Sequence, residues 1–388
     1  TSPMNHGIIA NNWYDKFKKT SVYCASDPSV NAVGIEPDNK AGKMSPQRML
    51  TTSFADQNRL HTQFKGKTIG ISLKDRGAIL PAGHTANAAY WFAGHDRGDS
   101  ITSDYFMKDL PQWVKDFNTS GTAKSYLKDW NTLKDISTYI ESGPDKNNYE
   151  NGFKGKEEAT FPYDLKELAE DNGDYSVIRP TPFGNDLLLD FAKEAIKNEK
   201  LGQDEFTDVF TLSFSSPDYT GHNFGVNSKE VQDLYIRLDQ NIAELLKFLD
   251  KEVGEGNYTL FLTADHGAVH VPQFLKDNKI PAGYFETGEM QSALEAHLSE
   301  SFGLVDIIEE IQNQQIFLDD SKFKTYTDFV SAQNEIKRFL LHYQNIDKVY
   351  TREMLEHNDF SGNPAELILR GFHQKRSGDV VYVLQNSF

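Results

Sequence analysis

Four short runs of almost uninterrupted apolar and β-branched residues place the strongest constraint on the fold of this chain of 388 residues. They are KTIGISL at 67–73, DVFTLSF at 208–214, YTLFLT at 258–263 and DVVYVL at 379–384. Such runs are typical of strands that are buried on both faces of a parallel sheet. Because such a sheet needs helices on its faces, we predict an α/β fold: a mostly parallel central sheet flanked by helices on both faces.

Helical periodicity between these runs supports the same fold class. Residues 228–251 carry apolar side chains at helical spacing, and Ser228 or Asn227 can cap the start of this helix. A strand, a long helix and a further strand form a βαβ unit, in which the right-handed crossover makes the two strands parallel. A second helix is predicted over 185–198, and helical patterns recur from about 275 to 350.

Composition restricts the classes of function. The chain has 57 acidic and 40 basic side chains, a formal net charge of −17, so a nucleic-acid polymer or an anionic membrane would be repelled at long range. No apolar run reaches the length of a membrane span. Cys24 is the only cysteine, which excludes an internal disulfide and a metal cluster built from cysteines. Residues from about 99 to 180 are polar with weak periodicity, which predicts a cap-like, irregular insertion with short helices.

Two Asp/His pairs follow consecutive predicted strands. In SSPDYTGHNFG the pair is Asp218 and His222, and the proline and glycine in this string favour a loop over a helix. In LFLTADHGAVH the pair is Asp265 and His266, and Gly267 allows the turn that both need to serve one site. Carboxyl ends of parallel strands meet at one sheet edge, and a carboxylate with an imidazole suits zinc. Taken singly, each pair also fits a capping Asp beside a surface His.

Two further features offer contacts to an anion. Lys74 and Arg76 follow the run at 67–73, where Arg can grip a phosphate with its planar fork and Lys can act as a point charge. The alternative is a solvated charged turn. Near the start, HGIIANNWYD contains Asn11 and Asn12, either of which could donate an amide N–H to an anionic oxygen, although Asn pairs also mark turns.

These features occur together and in one order, and in that order the chain resembles the alkaline phosphatase superfamily. The matching strings are PMNHGIIANNWYD at 3–15, IGISLKDRGAILPAGHTANAAYWF at 69–92, TPFGNDLLLDFA at 181–192, SPDYTGHNFG at 216–225 and TADHG at 263–267. The resemblance is to the branch of type I phosphodiesterases and nucleotide pyrophosphatases. Within it, the nearest likeness is to the zinc-dependent, phosphate-irrepressible alkaline phosphatases of flavobacteria. An alkaline phosphatase-like fold is therefore implied.

The resemblance also implies two zinc ions as cofactors. Asp218 and His222 would bind one ion, and Asp265 and His266 would bind the second. A further Asp ligand is expected before residue 1 and a further His ligand after residue 388. His373 is not chosen as that ligand, because it precedes the last predicted strand rather than following it.

The remaining implied roles concern the phosphoryl group. Asn11 resembles the family asparagine that holds a non-bridging oxygen, and Lys74 and Arg76 resemble the pair that contacts phosphate oxygens in monoesterases. Diesterases of the branch generally lack that pair, so small phosphate monoesters are the expected substrates. The resemblance places a nucleophilic threonine before residue 1 and implies a phosphothreonine intermediate.

Alternatives to this interpretation stay open. A phosphodiesterase or nucleotide pyrophosphatase of the same superfamily could stack a nucleotide on Trp13, Trp91 or Tyr219. A non-catalytic relative that binds zinc or phosphate is the second alternative, if the termini are genuine. The expected domain is a single one over 1–388 that lacks both ends, and the expected location is periplasmic or secreted. The sequence leaves the oligomeric state open.

Overall fold

The computed structural model describes residues 2–362 and 364–388 of the chain. The chain divides into two compact units. The first unit comprises Thr1–Cys24, Arg48–Thr51 and Pro272–Phe388, and the second comprises Ala25–Gln47 and Thr52–Val271. No feature of the sequence indicated this division. The single domain expected over residues 1–388 stays a prediction, because two compact units can still fold together as one domain.

Strands and helices are numbered in chain order. The strands are β1 Asn12–Asp15, β2 Thr20–Tyr23, β3 Ala32–Val33, β4 Thr68–Ser72, β5 Ala88–Gly94, β6 Asp99–Ser103, β7 Asp129–Trp130, β8 Tyr163–Asp164, β9 Val209–Ser213, β10 Ile308–Gln312, β11 Gln315–Leu318, β12 Ile346–Thr351 and β13 Val380–Leu384. The helices are α1 Pro3–His6, α2 Phe54–His61, α3 Asp75–Ala82, α4 Gln112–Thr119, α5 Thr122–Ser125, α6 Leu165–Leu168, α7 Pro182–Asn198, α8 Ser216–Phe224, α9 Lys229–Leu249, α10 Pro272–Asp277, α11 Thr287–Phe302, α12 Tyr326–Leu341, α13 Arg352–His357 and α14 Ala365–Gly371. None of the described helices combines the length and apolar character needed to cross a bilayer.

The second unit is built on a mixed sheet with the strand order β3-β6-β5-β4-β9. β4 runs parallel to both β5 and β9, whereas β6 is antiparallel to β5 and to β3. Every residue of β4 and of β5 is buried, as expected for central strands covered on both faces. The predicted α/β class and the predicted strand at 67–73 are therefore confirmed, although the sheet is mixed.

Helices cover both faces of this sheet. On one face α3 approaches so closely that a Cβ at Gly70 would lie 2.1 Å from the carbonyl oxygen of Ala78. Ile69 and Ile71 alternate with Gly70 and therefore point to the other face, where they share a core with Leu187 and other residues of α7. α7 contains the whole helix predicted over 185–198 and starts earlier, with a proline at its first position.

The predicted strand at 258–263 is wrong in this structure. The segment has no regular structure, and Phe261 is 85% exposed. Within the described chain β9 pairs only with β4, and all of its residues are half-buried rather than buried. A strand needs a hydrogen-bonded neighbour, which apolar composition alone does not supply. The predicted βαβ unit is therefore absent, while its long helix is confirmed as α9.

The first unit contains a four-stranded sheet with the order β10-β11-β13-β12, in which every pairing is antiparallel. The predicted strand at 379–384 is present as β13, but its predicted parallel setting is wrong. An apolar run suits the middle of an antiparallel sheet equally well when helices cover it. Here α11 and α12 supply the cover, and their apolar side chains form a core with Val380 and Tyr382.

The polar segment between β6 and α7 carries the short helices α4, α5 and α6, as the sequence indicated. Its first residues, Asp99–Ser103, belong to the sheet as β6. The rest is anchored to α9 through the buried carboxylate of Asp233, which accepts hydrogen bonds from Trp130 Nε1 at 2.7 Å and Tyr139 Oη at 2.5 Å. This polar segment therefore has a specific attachment to the long helix of the second unit.

Candidate active site

The segment that carries Asp218 and His222 is a helix, so the predicted loop is wrong. α8 begins directly after β9, and Pro217 occupies its first turn, where proline needs no N–H partner. Gly221 lies inside this helix, where glycine is less favourable than alanine but does not prevent helix formation. In a helix, residues four apart lie on the same face. The helix therefore places Asp218 and His222 side by side, one turn apart.

The end of β4 brings Lys74 to the same place. Lys74 is the N-cap of α3, and its backbone N–H donates to Ser72 Oγ at 3.1 Å. Ser72 Oγ also lies 2.8 Å from Ser215 Oγ, so the carboxyl ends of the parallel strands β4 and β9 are joined by a hydrogen bond. Across this edge, Lys74 Nζ forms an ion pair with Asp218 Oδ2.

Asp218 is the centre of the cluster. Its Oδ1 lies 3.4 Å from His222 Nε2 and 3.7 Å from His266 Nε2. Burial alone would raise the pKa of this carboxyl, but the hydrogen bond and charge of Lys74, with the two histidines, outweigh it and hold the pKa below its usual range. Asp218 is therefore ionised at neutral pH and faces two imidazoles and one ammonium.

Only one residue of the second predicted pair lies beside Asp218. His266 reaches Asp218, whereas Asp265 is 88% exposed and contacts His266, with Oδ2 3.5 Å from Nε2. His266 Nδ1 lies 2.8 Å from the carbonyl oxygen of Gly267, which accepts only if Nδ1 carries the proton. Across residues 2–362 and 364–388, no three His, Cys, Asp or Glu side chains are spaced to hold a metal ion. The four predicted ligands are thus neighbours rather than a formed metal centre.

An aromatic ring, that of Tyr219, also lies beside Lys74. The ammonium lies 4.4 Å from the ring centroid of Tyr219. Burial raises the pKa of Tyr219, while the charges of Arg179 and Arg76 lower it in part. Arg179 donates to two backbone carbonyls of β5, each at 3.0 Å. No motif in the sequence indicated Arg179, because its partners are main-chain oxygens.

Asn11, Trp13 and Trp91 are three further residues that the sequence pattern singled out. Asn11 belongs to the first unit, where its side chain is exposed and its carbonyl oxygen accepts from the N–H of Cys24 at 2.8 Å. Its role at a phosphoryl group stays a prediction. Trp13 and Trp91 are both buried, and Trp91 Nε1 donates to a carbonyl oxygen, so neither ring is free to stack on a nucleotide.

Comparison with known proteins agrees with the sequence resemblance. The family model for type I phosphodiesterase/nucleotide pyrophosphatase matches residues 1–388. A Myroides odoratus protein named calcium-transporting ATPase is 44% identical over 99% of this chain and 70% of its own length. Alkaline phosphatase PhoV of Synechococcus elongatus is 42% identical over 98% of this chain and 68% of its own. The crystal structure of wild-type alkaline phosphatase PafA matches with a TM-score of 0.92 and 38% identity, covering 100% of this chain and 74% of that one. The chain belongs to the type I phosphodiesterase/nucleotide pyrophosphatase family.

Proposed function

We propose that this protein is a metal-dependent hydrolase of small phosphate monoesters. One observation carries the proposal: a lysine ammonium and two imidazole nitrogens all face the carboxylate of Asp218 at one edge of the sheet. Anionic substrates need positive charge, which Lys74 and Arg76 at the end of β4 would supply together with bound metal, within a chain of net charge −17. The relatives named alkaline phosphatases support the same activity.

The donor set suits two zinc ions, held by Asp218 with His222 and by Asp265 with His266. Carboxylate oxygen and imidazole nitrogen are ordinary zinc ligands. Asp218 Oδ1 lies 3.4 Å from His222 Nε2 and 3.7 Å from His266 Nε2, so carboxylate and imidazole donors already face one another at this edge of the sheet. When bound, the metal would supply charge neutralisation and activation of a hydroxyl. The resemblance places the remaining ligands outside residues 1–388.

The chain's own residues would act by positioning and by charge. Lys74 and Arg76 contribute fixed positive charge at the end of β4, where a phosphoryl oxygen would bind. Asn11 would add an amide donor to another oxygen. Transfer of a phosphoryl group spreads negative charge over three oxygens, so preorganised donors lower the barrier without transferring a proton. A threonine outside residues 1–388 would be the nucleophile and form the phosphothreonine intermediate. We further propose that the enzyme works in the periplasm or outside the cell.

The experiment compares two substrates on the zinc-loaded, full-length protein. Lys74→Ala combined with Arg76→Ala should lower kcat/KM for an aryl phosphate monoester by about 10²–10³-fold, and for an aryl phosphodiester by much less. The reason is that a diester lacks one of the charged oxygens that these cations meet.

The matched control also removes two positive charges. Arg97 and Lys108 are exposed cations of the same unit, so Arg97→Ala with Lys108→Ala changes the net charge equally without touching the cluster. Both rates should stay close to those of the wild type. Equal losses on monoester and diester in the Lys74/Arg76 variant would contradict monoester hydrolysis and favour the phosphodiesterase alternative.

A further inference from the structure

We propose that Tyr219 is a positioning residue for Lys74: its ring holds the ammonium at the phosphate-facing edge of the sheet. The inference rests on the proposed monoesterase function and names the residue that gives Lys74 its place. The ammonium lies 4.4 Å from the ring centroid, well inside the range of cation–π attraction. The Lys74 side chain is only 13% exposed, and this attraction is stronger where water is excluded.

Lys74 needs such a partner because of its position. It is the N-cap of α3, and its side chain makes no capping hydrogen bond. A lysine ammonium stands on a flexible four-carbon stem, so without contacts it would sample many rotamers. Two contacts restrict it here, the carboxylate of Asp218 and the ring of Tyr219.

The two contacts differ in what metal binding does to them. Asp218 is a proposed metal ligand, and a carboxylate that shares its charge with a metal ion attracts an ammonium less. The ring is neutral and ligates nothing, so its attraction for Lys74 is the same with and without metal. Tyr219 is therefore the partner that remains when the site is loaded.

Tyr219 is itself held in place. It follows Asp218 directly on α8, so the two side chains leave the helix about 100° apart and bracket the ammonium. The charge of Arg179, whose guanidinium donates to two backbone carbonyl oxygens and lies 5.6 Å from the ring of Phe92, lowers the pKa of the Tyr219 phenol in part. The place of Tyr219 in the first turns of α8 therefore sets where its ring meets Lys74.

A consequence follows for substrate choice. An ammonium held by a neutral ring keeps its full positive charge for the substrate, whereas one held by a carboxylate is partly neutralised. Because a monoester carries more negative charge than a diester, this ammonium attracts a monoester more strongly. Tyr219 should therefore support the preference for monoesters through Lys74.

The test is a double-mutant cycle on the zinc-loaded, full-length protein. Tyr219→Leu removes the ring face, while Tyr219→Phe keeps it and removes only the hydroxyl. For the aryl monoester, Tyr219→Leu should lower kcat/KM by about 3-fold to 30-fold, and Tyr219→Phe by less than about 3-fold. In a Lys74→Ala background, Tyr219→Leu should cost less than about 2-fold, because the ring has no ammonium to hold. Tyr235→Leu, on the exposed side of α9, is the control for loss of a tyrosine.

The affinity for inorganic phosphate, measured by calorimetry, gives a second readout that does not need turnover. Tyr219→Leu should weaken the affinity for phosphate when Lys74 is present, and should leave it unchanged in the Lys74→Ala background. Equal losses in both backgrounds, or equal losses for the Leu and Phe variants, would overturn the positioning role. If the wild type hydrolyses no monoester, the proposed function fails, while coupling in phosphate affinity still decides the role of Tyr219.

Discussion

At the scale of single residues, Asp379 holds three parts of the first unit together. Its side chain is 1% exposed, and Oδ1 pairs with Lys16 Nζ at 2.6 Å and Arg352 Nε at 2.9 Å. Oδ2 accepts from the N–H of Leu318 at 2.9 Å. Asp379→Ala removes the carboxylate that pairs with the largely buried Lys16 and leaves Arg352 with Glu356 as its ion-pair partner, so the free energy of unfolding should fall by about 3–5 kcal/mol, measured by urea denaturation.

The control removes the acid of an exposed pair. Glu158 pairs with Lys146, both on the surface, so Glu158→Ala should leave the urea midpoint almost unchanged. Similar shifts for the two variants would contradict the importance of burial. Such a contact is beyond sequence analysis, because Lys16 and Asp379 lie 363 positions apart and nothing in either local string marks the pairing. Asp218 and His222, by contrast, could be paired because they lie four residues apart in one string after a predicted strand.

At the scale of elements, local patterns predicted helices better than strands. α7 and α9 were found because apolar periodicity is a property of the helix itself. The segment 258–263 has a strand-like composition, yet a strand also requires a neighbour, which composition does not encode. α8 was missed because proline and glycine were weighed as turn residues, although proline is favoured in a first helical turn. The contact between Lys74 and Tyr219 depends on that helix, so it could not be predicted from the sequence either.

The contact between α9 and the insertion leads to a prediction about pH. Glu230 is fully buried, and its Oε1 accepts from Tyr163 Oη at 2.5 Å. Within the described chain, Glu230 Oε2 and Glu150 Oε2 have no hydrogen-bond partner. Burial raises the pKa of Glu150 to about 8, with repulsion from Glu230 adding to it, and burial raises the pKa of Glu230 to about 7. Both groups therefore bind protons in the folded state that the unfolded chain has already released.

The sign of the pH dependence follows from these raised pKa values. Between the unfolded pKa near 4.5 and about pH 8, the folded state holds more protons, so these groups make stability fall as pH rises. Glu150→Gln with Glu230→Gln should flatten the decrease in the free energy of unfolding, measured from pH 5 to pH 8.5. Glu158→Gln, on the surface, should leave the wild-type slope in place. An unchanged slope in the double variant would show that the buried carboxyls titrate normally.

At the scale of the whole molecule, net charge and local charge act in opposite directions. The net charge of −17 disfavours an anionic substrate at long range, but salt screens it over about 8 Å at physiological ionic strength. Lys74 and Arg76 would act on a bound substrate over distances shorter than this screening length, and bound metal would add further positive charge. The charge of the whole chain therefore describes its general surface, whereas the substrate responds to the charge at the end of β4.

Metal binding can be tested against the stability of the whole protein. A ligand that binds only the folded state stabilises it by RT ln(1 + [L]/Kd), about 2.7 kcal/mol at 100 times Kd, so a chelator should lower the Tm of the full-length wild type. Asp218→Ala should lower the bound zinc, measured by elemental analysis, and should reduce the effect of the chelator. His373→Ala should do neither. His373 lies in the first unit, where burial and the charge of Arg376 lower its pKa, and a neighbouring cation disfavours a metal ion. Loss of zinc on changing His373 would place the missing histidine ligand within residues 1–388 and overturn the predicted ligand set.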